Sequence, residues 1–130
     1  MQLQDNTSLQ VVELANGLIW TDEFDWTSVE SNVSYSLTGA QIIEQGTKQA
    51  GRPISLSPPD DSMGWMKRVD LQVLKAWAQT AGRRMTLTIN GEDYQVMFAS
   101  GNPISAKPAI NLPVYNDTDQ FVVNLKFIEV

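Results

Sequence analysis

The stretch from Gly51 to Phe98 constrains the fold most, because it writes out a strand, one helix and a β-hairpin in succession. Gly51-Arg52-Pro53-Ile54-Ser55-Leu56 places Ile54 and Leu56 on one face of a strand that opens at Pro53. Pro58-Pro59-Asp60-Asp61-Ser62 is a loop by its turn chemistry. A helix is expected from about Met66 to Thr80, roughly 22 Å long at 1.5 Å per residue. Val69, Val73, Ala76 and Trp77 form its apolar stripe, and Leu71, Leu74 and Ala78 widen it. Trp77 anchors the helix to the sheet, and Gly82 is placed as its C-terminal cap. Asn90-Gly91 then marks a tight hairpin, with Gly91 at positive φ. A two-residue turn pairs Leu87 with Tyr94; a four-residue loop pairs Leu87 with Val96. Parity is the same in both, so the pattern fixes the inward face and leaves the register open.

Strand-like sequence flanks this unit on both sides. Leu9–Leu14 and Leu18–Trp20 are short strand candidates around the turn dipeptide Asn16-Gly17. Trp20, Phe24 and Trp26 keep a two-residue phase through an acidic stretch. Val33, Tyr35 and Leu37 alternate and are expected to face the core, with a bulge near Gly39. Phe121, Val123, Leu125 and Phe127 alternate toward the last residues, which ties that end into the sheet. Two segments lack this regularity. Residues 1–16 are expected to form an N-terminal arm, and residues 99–120, spaced by Pro103, Pro108 and Pro113, a long loop or extended arm. The fold class expected is therefore mainly β with one α-helix, a β-barrel or β-sandwich, with residues 1–130 as a single domain.

At 130 residues with 42% apolar content, a chain buries roughly two-thirds of its unfolded surface. The net charge is −6, with scattered basic residues, which disfavours nucleic-acid binding by a basic surface. With no Cys and no His, disulfides, Cys or His zinc sites, a Cys nucleophile and a His general base are excluded. The first residues lack the basic start and apolar run of a signal peptide, and no apolar run is long enough to span a bilayer.

Three acidic groups are the candidates for chemistry. Asp22, Glu23 and Asp25 supply oxygen ligands, but lack the spacing and glycine of an EF-hand; a solvated turn between buried Trp20 and Trp26 is the simpler reading. Asp60-Asp61 and Glu92-Asp93 offer paired carboxylates, yet both lie in expected turns, where Asp bonds locally. Four Trp raise an aromatic-stacking site. Trp77 reads as core and Trp65 as packing its loop on the helix start, so buried area explains them more directly. No catalytic, cofactor or metal residue is assigned.

GLIWTDEFDWT (17–27), YSLTGAQIIEQGTKQAGRPISL (35–56), GWMKRVDLQVLKAWA (64–78) and MTLTINGEDYQVMF (85–98) together resemble small tail or baseplate proteins of tailed bacteriophages and prophages, particularly contractile-tailed ones. The resemblance spans about residues 17–130 and includes no catalytic motif. It implies a fold similar to the tail tube, a ring, often six-fold, around a lumen through which DNA passes without specific binding, and a location in the virion tail after synthesis in the bacterial cytoplasm. The implied partners are tube, sheath-initiator and hub proteins; no cofactor and no membrane are implied. Assembly is expected through the proline-spaced segment, at Pro103, Ile104, Pro108, Ile110, Leu112 and Pro113. The alternatives are a phage-encoded module that binds a host protein, a ligand-binding β-barrel, and, last, an enzyme using carboxylates alone.

Overall fold

The computed structural model describes residues 1–48 and 51–130. Residues 49 and 50, inside the 35–56 segment of the resemblance, lie outside the described residues. The described residues are mostly β with one helix. In order come β1 (Gln2–Asp5), β2 (Val11–Glu13), β3 (Ile19–Trp20), β4 (Val29–Tyr35), β5 (Gln41–Thr47), β6 (Pro53–Ser57), β7 (Trp65–Lys67), α1 (Arg68–Ala78), β8 (Met85–Ile89), β9 (Glu92–Phe98), β10 (Ile104–Pro108) and β11 (Gln120–Glu129).

Among the described residues, nine strands form one sheet and β4–β5 stands apart as a two-stranded sheet. The main path runs β2-β1-β8-β9-β11-β6-β3, and β7 and β10 also pair with β11. Its ends, β2 and β3, do not pair, so no closed barrel forms among the described residues. Residues from both halves of this path nevertheless share one core. Leu3, Val12, Ile54, Leu74, Trp77, Leu87, Val96 and Leu125 belong to a single buried cluster, so the sheet curls around it and α1 caps it. Alternation explains the strands: Met85, Leu87 and Ile89 are buried while Thr86 and Thr88 are half-covered.

The hairpin resolves to the two-residue turn, with Leu87 opposite Tyr94 and Met85 opposite Val96. Asn90 at φ 50° and Gly91 at φ 79° give the mirror-image turn whose twist suits paired strands. The helix is shorter than expected. Met66 belongs to β7, where it faces Phe121 of β11, because sheet pairing claims that residue before the helix begins. Of the expected stripe, Trp77 and Leu74 are buried, whereas Val69 is exposed. Gly82 does not cap α1. The helix ends at Ala78 with Gln79 as its cap, and Gly82, at φ 73°, serves the turn that follows.

Three further expectations are corrected. Residues 1–16 are not an arm: β1 pairs with both β2 and β8, and Leu3 is completely buried. The short polar strand gave little periodicity, yet Asp5 organises it. Its carboxylate accepts from Thr7 N (3.1 Å), Ser8 Oγ (2.7 Å) and Arg83 Nη1 (2.6 Å), closing the β1–β2 connection. Burial opposes the charge on Asp5, but these bonds and Arg83 outweigh it and hold the carboxyl below its ordinary value. Residues 99–120 are not wholly a loop, since Ile104–Pro108 pairs along Phe121–Leu125. Pro108 ends that edge strand, where its missing donor costs least. Lastly, Val33, Tyr35 and Leu37 do not face the core. Every residue of β4 and β5 is exposed, and Gly39, at φ 84°, shapes the turn between them rather than a bulge.

Candidate interaction surface

The β4–β5 hairpin extends about 24 Å at 3.4 Å per residue. Its register places Val33 opposite Ile43, Tyr35 opposite Gln41, Ser31 opposite Gln45 and Val29 opposite Thr47. Directly opposed residues share a face, so one face presents Val29, Val33, Tyr35 and Ile43 with only uncharged polar residues between them. The other face carries Glu30 and Glu44. The tip is closed by Ser36 N to Ala40 O (2.8 Å) and by Ser36 Oγ, which accepts from Ala40 N at 3.1 Å. Leu37 stands on that tip fully exposed. A two-stranded hairpin is marginal in water by itself. Here it presents an uncharged apolar face and edges unpaired among the described residues, the features that natural surface strands usually blunt with charge.

A second patch lies beyond β10. Ile110 (70% exposed), Leu112 and Val114 are all exposed, and Tyr115 packs on Phe121 with ring centroids 5.2 Å apart. Tyr115 Oη accepts from Leu112 N at 3.2 Å, which folds this loop on itself. Of the expected assembly residues, Pro103, Ile104 and Pro108 are thus half-buried in or beside the sheet. Ile110, Leu112 and Pro113 are exposed, and Ala109 N to Gln120 O (3.1 Å) and Val69 N to Asp117 O (3.1 Å) hold the segment on either side, so its uncovered part is residues 110–114.

The base of the hairpin is tied to the body through Arg52. Its guanidinium lies 5.2 Å from the Trp20 ring, 5.3 Å from Tyr94 and 6.0 Å from Trp26, and bonds Glu129 Oε2 at 2.6 Å. Trp20 and Tyr94 meet edge to face at 5.3 Å. Tyr94 Oη donates to Glu92 Oε2 at 2.6 Å; that bond, burial and the Glu92 charge together push the phenol above its ordinary value. Lys48 sits 5.6 Å from the Trp26 ring on the other strand exit. Trp20 and Trp26 are half-buried against this cation rather than fully within the core.

Of the carboxylates assigned to turns, Asp22, Asp60 and Asp61 lie there, whereas Glu92 and Asp93 open β9 opposite Ile89 and Thr88, because the two-residue turn at Asn90-Gly91 ends before them. Asp22 Oδ1 accepts from Ser55 N (2.8 Å), and Asp60 Oδ1 from Ser62 N (2.8 Å) and from Ser62 Oγ. The Ser62 bonds lower the Asp60 carboxyl. Asp61 pairs with Lys107 at 2.7 Å, and Asp93 accepts from Thr88 Oγ1 at 2.7 Å. Among the described residues, no three such side chains converge to hold a metal ion, and no helix is long and apolar enough to cross a membrane. Phe24, the Arg52 cluster and the one-sided hairpin face did not emerge from sequence reasoning. The hairpin's signal was present as alternation in which only one phase carries acids.

Compared with known proteins, the chain matches no family model, no curated protein and no solved structure.

Proposed function

We propose that the chain is a structural subunit of a bacteriophage tail or baseplate, assembling with copies of itself into a ring beside tube, sheath-initiator or hub proteins. The observation that carries this reading is the uncovered, uncharged face of β4–β5, with Leu37 at its tip. Contiguous exposed apolar surface rimmed by polar residues marks sites that a partner covers. The resemblance in residues 17–130 supplies the kind of partner, and the tail-tube-like architecture belongs to the same proposal. The acidic surface suits a lumen that DNA traverses without adhering. No reaction is assigned: Asp22, Asp60, Glu92 and Asp93 are engaged in local hydrogen bonds and Asp61 in an ion pair.

The test is compositional. Purified virions are analysed by mass spectrometry and electron microscopy, with wild-type chain or with Val33→Lys and Ile43→Lys. The reading expects the wild type in the tail and the variant chain, though folded, left out of it. A chain absent from virions overturns the reading in favour of a module that binds a host protein, which would use the same face.

A further inference from the structure

The turn Asp22–Asp25 presents Phe24 90% exposed, with Glu23 and Asp25 exposed on either side. This turn is held rigidly. Thr21 N donates to Ser55 O (3.0 Å), Ser55 N to Asp22 Oδ1 (2.8 Å) and Asp25 N to Asp22 O (3.2 Å). Trp20 and Trp26, which bracket it, both rest against Arg52. With the backbone beneath it held, docking the Phe24 ring orders only its own side-chain torsions.

A groove of about 350 Å³ lies between α1 and β10. Leu71, Ile104, Ala106 and Phe121 give it apolar walls, and Arg68 and Lys75 stand seven residues apart along the helix, about 10 Å by its rise. No carboxylate lines it, and among the described residues neither cation is in a salt bridge. Arg68 instead lies 5.9 Å from the Phe121 ring. Groove and turn are thus complementary: an apolar slot between two cations, and a phenyl ring between two carboxylates.

We infer that Phe24 of one copy seats in the α1–β10 groove of the next, with Glu23 and Asp25 meeting Arg68 and Lys75. The copy's own groove is out of reach. β3 leads into the turn and pairs with β6, which pairs with β11; β10 pairs with β11 on its opposite side, as Leu125 shows by facing both Leu56 and Ile104. Three strand spacings, roughly 14 Å, separate β3 from β10. Unlike patches meeting head to tail generate a ring when the rotation closes. The inference rests on the proposed self-assembly and names the contact.

The absence of cysteine makes the test clean. Thr21→Cys, beside the turn and leaving the Phe24 ring in place, and Gln72→Cys, at the groove, are introduced into two differently tagged chains, each checked for a native circular dichroism spectrum and melt. The chains are mixed and oxidised mildly. The expected result is mixed-tag disulfide dimer about tenfold above that of Thr21→Cys with Gln10→Cys, as docking rather than collision would give. Arg68→Glu with Lys75→Glu in the Gln72→Cys chain removes the excess, and Glu23→Lys with Asp25→Lys in the Thr21→Cys chain restores it. Equal yields for both pairs, or no rescue by charge exchange, overturn the contact. Virion content, measured separately, tests the tail reading. A chain present in tails but without the disulfide excess sinks only the contact; a chain absent from virions but with it sinks only the tail assignment.

Discussion

Strand β11 is bonded on both sides along most of its length, to β10 and β9 on one and to β7 and β6 on the other. Among the described residues, strand β4 pairs with β5 and nothing else. Both alternate. Phe121, Val123, Leu125 and Phe127 lie in the core, whereas Val33, Tyr35 and Leu37 lie in solvent. Alternation therefore specifies which residues share a face, while the cover over that face comes from elsewhere. In β11 the cover is the rest of the same chain. In β4 it has to be another chain or water.

The widest gap between the two regions should appear on truncating a large side chain in each. Trp77→Ala, beneath the sheet, is expected to cost about 3–5 kcal/mol, and Leu37→Ala less than about 0.5 kcal/mol in the isolated protein. Urea titration measures both. A loss at Leu37 rivalling that at Trp77 would mean the hairpin folds back on the body in solution.

Asp5 offers a sharper probe of the body. Removing it leaves Arg83, only about a quarter exposed, without its partner, and Asp5→Ala should cost about 3 kcal/mol. Because its folded value is depressed, the contribution is complete above the ordinary carboxylate value of 3.8. It fades as pH falls below that through the lowered folded value. Melting temperature followed from pH 6 to pH 2 should therefore drop less steeply in Asp5→Ala than in the wild type. Parallel curves would show that Asp5 is not responsible.

Two glycines compare the regions at equal local cost. Gly91 (φ 79°) and Gly39 (φ 84°) both sit at hairpin turns in open space, so a side chain meets no atom and only the backbone resists. Valine at either should cost about 1–2 kcal/mol locally. At Gly91 it should register in global unfolding; at Gly39 it should only hasten amide exchange across β4–β5. Equal global losses would join the hairpin to the cooperative unit. The smallest effect is expected from Val33→Lys, within about 0.5 kcal/mol for the lone chain. Its consequence should appear only in assembly.

Much of the body was legible in the sequence. The helix with Trp77 inward, the Asn90-Gly91 turn and the buried face of β11 all followed from local rules. What was not legible depended on distant partners. Leu3 is buried because β8, more than eighty positions along the chain, lies beside it. Asp5 reads as a surface acid until Arg83 arrives. Residues 104–108 look irregular until β11 pairs with them. The Phe24 turn was read for its carboxylates, while its protruding ring passed as part of a strand phase, because Trp20 and Trp26 either side of it suggested one.

The position of β11 also bears on how the chain is made. Strands β6, β7, β9 and β10 all bond to it. During synthesis, α1 and the β8–β9 hairpin can form from local contacts, but the sheet has no spine until residues 120–129 emerge. Ile54 and Leu56, among the most buried side chains once folded, must wait exposed on the nascent chain through the translation of more than sixty further residues. At about 5–20 residues per second, that interval lasts several seconds. Chaperone engagement should therefore depend more on the late arrival of one strand than on the hydrophobicity of any early one.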